Sequence, residues 1–353
     1  MSNTLPTARL AYFFQWMDPV ALRVLGMEPN IALDHLQFDM PRPTLDDAMA
    51  TAHGYHALPR VEIREPWFCD EALLKRAPKL LAACSSGAGF DVIDVDACTK
   101  AGVIVCHQSG TNKEAVAEHA LGMILALSKK IGLADKLVRR QAGLDRNTVV
   151  GRDIRGKTLG LIGIGQIGTR MAELCRGLFG MTVLACDPYL TAEQIAARGG
   201  VKATMEEVFS RADYISVHVP RNAETFGMIG AAQYALMKPN AYFIQTSRGG
   251  IHDEPSLAVA LAEKRIAGAG LDVFLKEPPP PDHPLLAFDN VIATPHHAGI
   301  TEEALHDMAE GAALQWVQIF KGEVPPRLEN PEAWPLYSDR FEAEFGFRPQ
   351  PLG

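Results

Sequence analysis

An arginine, a glutamate and a histidine each follow a short apolar run in the second half of this 353-residue chain. Arg248 precedes two glycines, Glu277 precedes a proline, and His296 lies in the run Thr294-Pro-His296-His297. A guanidinium can hold an anionic group, an imidazole can give or take a proton, and a nearby carboxylate favours the protonated imidazole. The three groups together predict acid–base chemistry on a carboxylate-bearing molecule.

A glycine pattern in the same half of the chain predicts a second kind of site. An apolar run over residues 158–162 leads directly into Gly163-Ile-Gly165-Gln-Ile-Gly168 and then into a helical pattern. Gly163 permits a tight turn, Gly165 lets phosphates approach the backbone, and Gly168 lets the helix pack closely on the sheet. Asp187 ends the next apolar run at the spacing of an acid that holds a ribose diol. The pattern predicts dinucleotide binding, and Asp187 favours NAD over NADP because a carboxylate repels a 2′-phosphate.

The elements around these residues alternate between strand-like and helix-like patterns, which predicts the α/β class with parallel sheets. In the second half, strands are predicted at residues 158–162, 181–186, 214–217, 241–245, 268–272 and 291–293. In the first half they are predicted at residues 8–14, 80–84 and 103–106, with another ending near residue 60. Ligands bind beyond the carboxyl ends of such strands, so the polar groups and the glycines can reach one cleft.

The chain is longer than a single hydrophobic core usually supports, so two domains are expected. We predict two doubly wound parallel-sheet domains, Rossmann- or flavodoxin-like, with a cleft between them. Residues 1–112 plus 300–353 form a discontinuous substrate-binding and catalytic domain, and residues 113–299 form an NAD-binding Rossmann domain. A long helix over residues 112–140 connects them, and a helix over residues 301–321 returns to the first domain. The tail from residue 325 lies over either a partner subunit or the first domain.

Composition excludes several classes of partner. A net charge of −8 and a pI near 5.8 argue against nucleic acid and against an anionic membrane surface. The six cysteines lie far apart without a CxxC pair, so no metal site is predicted and reduced core thiols are expected. Residues 1–6 lack the basic-then-apolar order of a signal peptide, and no apolar run is long enough to span a bilayer. We therefore expect a cytoplasmic protein.

The chain resembles the D-2-hydroxyacid dehydrogenases, the group that includes phosphoglycerate, glycerate and D-lactate dehydrogenases. The resemblance runs from about residue 80 to residue 330. It rests on residues 87–94, 115–119, the glycine pattern at 163–168, 218–220, 247–249, 271–274 with Glu277-Pro278, and 294–296.

The resemblance implies an NAD-dependent oxidoreductase that interconverts a 2-keto acid and a D-2-hydroxy acid. Arg248 resembles the arginine that holds the substrate carboxylate and carbonyl. His296 resembles the general acid and base, and Glu277 resembles the acid that tunes it. The backbone of Gly87, Ala88 and Gly89 is expected to bind the other end of the substrate carboxylate. The resemblance also implies a homodimer, with the helix near residues 113–140 at the contact.

The cofactor contacts follow from the same resemblance. Gln166 and Ile167 are expected at the pyrophosphate, Asp187 at the adenosine ribose, Val219 at the adenine side, and Thr246 and Asp272 at the nicotinamide side. The full predicted set is Gly163, Gly165, Gln166, Ile167, Gly168, Asp187, Val219, Thr246, Ser247, Arg248, Asp272, His296 and Gly299.

Departures from the family pattern leave the substrate open. Gln245 stands where an asparagine is usual, and His107-Gln-Ser-Gly110 replaces an asparagine–proline motif. Arg60, Arg64 and Trp67 are candidates for the specificity wall, by which we mean the side chains that would line the substrate pocket and select the substrate. Arg60 or Arg64 lies either at a substrate phosphate or on the solvated surface.

Two other functions are retained as alternatives. One is an NADH-sensing, corepressor-like binding protein. The other is formate oxidation, which Glu277 disfavours because formate has no carbonyl to protonate.

Overall fold

The computed structural model describes residues 6–60 and 62–352. Residues 1–5, which carry most of the N-terminal sequence considered above, lie outside the described residues, as do Val61 and Gly353. The described chain forms two compact units. Unit 1 runs up to Asn112 and resumes at Glu302, and unit 2 comprises Lys113–Thr301. The predicted domain boundaries lie after residues 112 and 299.

Strands and helices alternate along both units. In chain order the strands are β1 (Ala8–Phe13), β2 (Ile31–Leu36), β3 (Gly54–Ala57), β4 (Ala82–Ser85), β5 (Ile104–Cys106), β6 (Thr158–Ile162), β7 (Thr182–Cys186), β8 (Val201–Lys202), β9 (Tyr214–Val217), β10 (Tyr242–Gln245), β11 (Gly268–Leu271) and β12 (Val291–Ala293). The α-helices are α1 (Val20–Gly26), α2 (Arg42–Thr51), α3 (Glu71–Arg76), α4 (Val95–Ala101), α5 (Lys113–Ser128), α6 (Ile131–Arg140), α7 (Gln166–Phe179), α8 (Ala192–Ala197), α9 (Met205–Arg211), α10 (Ala231–Leu236), α11 (Glu254–Ala262), α12 (Glu302–Phe320) and α13 (Trp334–Phe345).

Unit 1 is built on a parallel sheet with strand order β2-β1-β3-β4-β5. Strands β3, β4 and β5 are buried along their whole length, so they form continuous apolar runs rather than alternating ones. Strand β2 is absent from the sequence prediction. It lies at the sheet edge, and of its residues only Leu36 is fully buried, which leaves a weak apolar signal.

The C-terminal helices complete the core of unit 1. The indole of Trp316 on α12 lies against β3, where a Cβ on Gly54 would meet it at 2.5 Å. On α13 the side chains of Tyr337 and Phe341 are fully buried in the same core. Of the two places predicted for the tail, the structure therefore places it on unit 1.

Unit 2 is built on a parallel sheet with strand order β12-β11-β10-β9-β6-β7-β8. The predicted strands of this region are confirmed to within one residue at each end, and β8 is an additional strand. Helix α11 begins directly after Asp253, whose side chain caps the helix by accepting a hydrogen bond from the Ser256 amide at 2.8 Å. Two parallel α/β sheets confirm the predicted fold class.

The prediction of one continuous helix over residues 112–140 is wrong. The helix divides into α5 and α6, and Lys130 between them has the left-handed φ of 54°. The carbonyl of Ser128 at the end of α5 accepts a hydrogen bond from the Arg152 amide at 2.7 Å. Gly151 lies so close to this carbonyl that a Cβ there would meet it at 2.6 Å. A distant segment thus satisfies the end of α5, and no local sequence pattern reports it.

Within residues 6–60 and 62–352, no helix is long and apolar enough to cross a membrane. The six cysteines all lie in this described part and are free. Burial raises the pKa of the Cys175 thiol to about 12, as expected for an inert core thiol.

Candidate active site

The predicted site residues of unit 2 follow the carboxyl ends of six neighbouring strands. From one side of the sheet to the other, His296 follows β12, Asp272 follows β11, Arg248 follows β10, Val219 follows β9, Gly163 follows β6 and Asp187 follows β7. Backbone hydrogen bonds join these ends, for example His296 N–H to the Asp272 carbonyl at 2.7 Å and Gly163 N–H to the Cys186 carbonyl at 2.9 Å. The parallel sheet therefore brings together residues that are far apart in the sequence.

The glycine loop has the geometry that the sequence predicts for phosphate binding. Gly163 has a φ of 85°, and a Cβ there would meet the carbonyl of His218 at 2.6 Å. Around Gly165, by contrast, a Cβ would meet no described atom within 4 Å, so the backbone faces open space. Helix α7 begins at Gln166, directly after this open position, and directs its free amide groups and positive dipole end towards it. The loop thus fits a bound pyrophosphate.

Asp187 is held at the end of β7 by two backbone amides. Its Oδ2 accepts a hydrogen bond from the Ile164 amide at 3.2 Å, and its Oδ1 accepts one from the Tyr189 amide at 3.1 Å. The first bond links the carboxylate directly to the glycine loop. A ribose diol beside the phosphate loop would therefore meet a fixed acceptor.

His296 and Glu277 form the pair that the sequence predicts. His296 Nδ1 lies 2.8 Å from Glu277 Oε2, and the other carboxylate oxygen accepts a hydrogen bond from the Phe274 amide at 3.0 Å. Both side chains are partly accessible, with 33% and 18% exposed. His296 has a left-handed φ of 55°, which is uncommon for a residue with a side chain and occurs often at functional sites.

Arg248 lies on a loop that packs against the loop carrying Glu277. A Cβ on Gly249 would overlap the carbonyl of Phe274, so the two loops are in direct contact. The buried Gln245 side chain holds the start of the Arg248 loop, accepting hydrogen bonds from the Ser247 amide at 2.9 Å and the Ser247 hydroxyl at 2.6 Å. Gln245, which departs from the family pattern, therefore stabilises the turn that presents Arg248.

Two other predicted positions, Thr246 and Val219, follow strands β10 and β9, which lie between β6 and β12 in the sheet. Thr246 is 6% exposed, and its hydroxyl finds no hydrogen-bond partner within the described residues. An orphaned buried hydroxyl at this edge fits a polar contact with the nicotinamide end of a cofactor. His218 precedes Val219, bonds the Ser216 hydroxyl at 2.9 Å, and has its pKa lowered to about 4 by burial, which suits a structural role.

The surroundings of Asp272 are the part of the site that sequence reasoning missed. This carboxylate is 1% exposed and accepts hydrogen bonds from the Thr294 hydroxyl at 2.6 Å and from the amides of His297 and Ala298, both at 2.9 Å. Burial alone would raise its pKa, but these hydrogen bonds outweigh burial and lower it. The His119 ring reaches the same group from helix α5, with Nε2 3.2 Å from the Thr294 hydroxyl oxygen. No local signal links His119 to a residue 153 positions later in the chain.

The predicted substrate-binding backbone lies in unit 1, directly after β4. The Gly87 amide faces the Ser85 hydroxyl oxygen at 3.3 Å, and the Gly89 carbonyl accepts a hydrogen bond from the same hydroxyl. The Gly87 carbonyl accepts a hydrogen bond from the Gln108 amide at 2.8 Å. These bonds form a tight turn that includes Ala88. That the turn shares a substrate with Arg248 stays a prediction.

The candidates for a specificity wall fall into two groups. Arg60 and Arg64 are exposed and lie over the rings of Phe68 and Phe38, at 5.6 and 5.2 Å from the ring centroids. Trp67 is only 4% exposed, because it packs in the core of unit 1. Trp67 is therefore a core residue, and the two arginines are the members of this set that a solute can reach.

Comparison with known proteins places the chain in a family. The NAD binding domain of the D-isomer specific 2-hydroxyacid dehydrogenases matches residues 121–298. A D-3-phosphoglycerate dehydrogenase from Archaeoglobus fulgidus is 35% identical over 306 residues, covering 85% of this chain and 58% of that protein. A glyoxylate reductase from Korarchaeum cryptofilum is 38% identical over 267 residues, covering 74% of this chain and 80% of that protein.

A solved structure resembles the whole fold. The crystal structure of D-lactate dehydrogenase from Aquifex aeolicus, complexed with NAD and lactic acid, has a TM-score of 0.77 and 28% identity. The match covers 90% of this chain and 98% of that one.

The chain therefore belongs to the D-isomer specific 2-hydroxyacid dehydrogenase family, a family of NAD-dependent oxidoreductases. Its residues 121–298 are the NAD-binding domain, so the predicted family and the predicted NAD cofactor are confirmed. The chain spans 58% of the length of the phosphoglycerate dehydrogenase that it matches.

Proposed function

We propose that this protein catalyses the NAD-dependent interconversion of a 2-keto acid and a D-2-hydroxy acid. The observation that carries the proposal is the His296–Glu277 pair, 2.8 Å apart, at the same sheet edge as the glycine loop and the Arg248 loop. In this proposal unit 1 is the substrate-binding domain, and unit 2 binds NAD and supplies the polar side chains.

His296 is the general acid and base. Its Nδ1 faces Glu277 Oε2, so the proton on that nitrogen is donated to the carboxylate. Nε2 is then the atom that gives a proton to the substrate carbonyl oxygen during reduction and takes it back during oxidation. The Phe274 amide fixes Glu277, so the ring keeps one orientation.

Arg248 binds the substrate carboxylate. A guanidinium presents a planar fork of N–H donors that matches two carboxylate oxygens, and its charge also stabilises negative charge developing on the adjacent carbonyl. The contact of Gly249 with Phe274 places this loop beside the loop of Glu277. Arg248 and His296 can therefore act on the two ends of one small 2-keto acid.

The chain's own residues account for the binding of NAD. Gly163, Gly165, Gln166, Ile167 and Gly168 would hold the pyrophosphate. Asp187 would accept hydrogen bonds from the adenosine ribose, and Val219 would lie at the adenine side. Thr246, Ser247, Asp272 and Gly299 would line the nicotinamide side. When bound, NADH supplies the hydride that reduces the substrate carbon.

The substrate class is that of small 2-hydroxy acids and their keto forms. The relatives are named for phosphoglycerate, glyoxylate and lactate, which share a carboxylate next to the reacting carbon and differ beyond it. The proposed contacts of Arg248 and His296 use only that shared part. The group beyond it, and with it the individual substrate, is set by unit 1, where Arg60 and Arg64 are accessible. The Glu277–His296 contact supports this chemistry over formate oxidation, which needs no proton donor.

We also propose a homodimer with α6 at the contact. No side chain of this helix is buried, and Ile131 and Val138 are 57% and 66% exposed. The two residues are seven positions apart and so lie on one face of the helix, which is the face that a partner would cover in the proposed dimer. A monomer mass by light scattering would contradict the proposal. The expected cytoplasmic location stays a prediction.

A panel of 2-keto acids tests the proposed activity. NADH oxidation is followed by absorbance with glyoxylate, pyruvate, hydroxypyruvate, phosphohydroxypyruvate and a branched 2-keto acid, each also with NADPH. We expect turnover with at least one acid, a D-configured product where the product is chiral, and a preference for NADH because of Asp187. An absence of turnover across the panel, together with NADH-dependent capture of regulatory proteins, would favour the corepressor-like alternative.

A further inference from the structure

His119, Asp272 and His297 form a cluster of three potential metal ligands within unit 2, which we call the histidine–aspartate cluster. His119 lies on α5, Asp272 directly follows β11, and His297 lies in the turn after β12. The proposed reaction uses neither imidazole of this cluster. The sequence predicts no metal site because the cysteine spacing excludes one, but this cluster contains no cysteine.

The three ligand atoms already lie close together. Asp272 Oδ1 is 3.5 Å from His297 Nδ1 and 3.9 Å from His119 Nε2, and all three atoms lie within 4.8 Å of one another. The two imidazole rings are nearly perpendicular at 82°, with centroids 4.9 Å apart. In a tetrahedral zinc site with bonds of about 2.1 Å, ligand atoms are about 3.4 Å apart. The Asp272 Oδ1 and His119 Nε2 atoms need to approach each other by about 0.5 Å, and the side chain of His297, which is 46% exposed, can adjust its own distances to both.

We propose that the histidine–aspartate cluster binds a divalent transition-metal ion, with zinc as its reference ion. Two imidazole nitrogens and one carboxylate oxygen suit zinc and its neighbours, whereas magnesium and calcium prefer oxygen ligands. Three protein ligands leave a fourth position for solvent. The hydrogen bonds to Asp272 from Thr294, His297 and Ala298 orient the carboxylate, as outer-shell partners do in metal sites.

Metal binding at this cluster excludes the nicotinamide end of the cofactor. This consequence, unlike the metal site itself, rests on the proposed function, which assigns Asp272 to the nicotinamide side. A metal on Asp272 Oδ1 occupies that carboxylate and adds a positive charge beside it. Zinc and NADH then compete, and the metal acts as an inhibitor of the proposed reaction.

The site is tested by the zinc affinity of the NAD-free protein, measured by competition with a chromophoric chelator. His297→Ala removes an exposed ligand and is expected to weaken zinc binding by more than about 10-fold. His306→Ala is the matched control: His306 Nδ1 lies 3.5 Å from Asp18 Oδ1 and the His306 side chain is 44% exposed, but among the described residues this pair belongs to no group of three potential ligands. Equal zinc affinity of the wild type and His297→Ala would overturn the proposal.

Two further measurements keep the outcomes separate. His119→Gln is expected to weaken zinc binding as His297→Ala does, with circular dichroism as the check that both variants fold. NADH binding, followed by its fluorescence, is expected to weaken as zinc is added to the wild type and not to His297→Ala. Zinc binding that leaves NADH affinity unchanged would overturn the competition. A protein without turnover in metal-free buffer would contradict the proposed function and leave the zinc result intact.

Discussion

The sheets of the two units reverse their strand order in the same way, between β1 and β3 in unit 1 and between β6 and β9 in unit 2. In open α/β sheets such a reversal forms a crevice at the carboxyl ends of the strands, where ligands bind. In unit 2 the reversal carries the glycine loop, with open space beside Gly165. In unit 1 the corresponding ends carry Trp16 and His56, whose rings stack with centroids 3.9 Å apart.

The side chains at the two reversals explain why one crevice is open and the other is filled. Trp16 and His56 are 6% and 3% exposed, and the Trp316 indole nitrogen lies 3.4 Å from His56 Nδ1. Aromatic packing thus occupies the place in unit 1 where unit 2 has glycines. Strand order creates the position for a ligand, and the residues at the strand ends decide whether that position stays accessible. We expect cofactor chemistry to depend on unit 2 and this aromatic core to contribute stability.

The largest expected effect is on chemistry in unit 2. His296→Ala removes the proton donor, and general acid–base catalysis contributes about 10²–10⁴-fold, so we expect kcat to fall by that range. The dissociation constant for NADH, measured by fluorescence, should change little, because the glycine loop and Asp187 are untouched. An equal loss of NADH binding would make His296 a structural residue and weaken the contrast between the units.

The next effect is on stability in unit 1. Trp16→Ala removes a buried indole from the filled crevice, and we expect it to destabilise the fold by about 3–5 kcal/mol in urea unfolding. Trp16→Phe keeps part of the stacking on His56 and should cost less. NADH affinity under native conditions should be retained in both variants. If the Trp16→Ala variant remained folded but lost NADH binding, the reversal in unit 1 would also serve cofactor binding. The two reversals would then not have separate roles in stability and cofactor binding.

A smaller effect distinguishes two glycines of the same loop. A methyl group on Gly165 enters space that is open in the protein, so Gly165→Ala should lower NADH affinity by at least about tenfold and leave the melting temperature unchanged. Gly163→Ala should instead lower the melting temperature, because its φ is 85° and its Cβ would meet the His218 carbonyl at 2.6 Å. Unchanged NADH affinity in Gly165→Ala would show that the open space is not the pyrophosphate site.

The smallest effect is a pH dependence of stability. Burial lowers the pKa of His56 from 6.5 to about 3, so above pH 6.5 the ring is neutral in both the folded and the unfolded chain. Below pH 6.5 the unfolded chain takes up a proton that the folded chain does not, and stability falls by about 1.4 kcal/mol per pH unit until about pH 3. Urea unfolding at pH 7.5 and 5.5 should show a smaller acid-induced loss in His56→Gln than in the wild type, with His306→Gln as the control.

The same measurement sharpens the comparison between the units. Burial lowers the pKa of His218 and His252 in unit 2 to about 4 and also lowers that of His119, so three histidines of unit 2 resist protonation, against His56 and His107 in unit 1. We expect unit 2 to lose more stability than unit 1 between pH 7.5 and 5.5. An equal loss in both units would contradict this expectation.

Much of unit 2 could be predicted from the sequence because its information is local. The glycine spacing, Asp187, and the strands before Arg248 and His296 each depend on residues adjacent in the chain. Their position at one edge follows from the parallel sheet, in which every strand presents its carboxyl end on the same side. Unit 1 was harder to predict from the sequence. Strand β2 is a half-exposed edge strand with a weak apolar pattern, and Trp67, whose residue type suits a binding site, is buried in the core.

The sequence by itself determined the fold class, the family, the dinucleotide loop and the identity of the polar residues after each strand. Only the tertiary structure decided the break between α5 and α6, the place of α13 on unit 1, and the meeting of His119 and His297 at Asp272. The physical reason is the range of the interactions. Turns, caps and strand patterns depend on neighbouring residues, whereas a helix end capped by a distant amide, or a carboxylate shared by two distant imidazoles, exists only once the chain has folded.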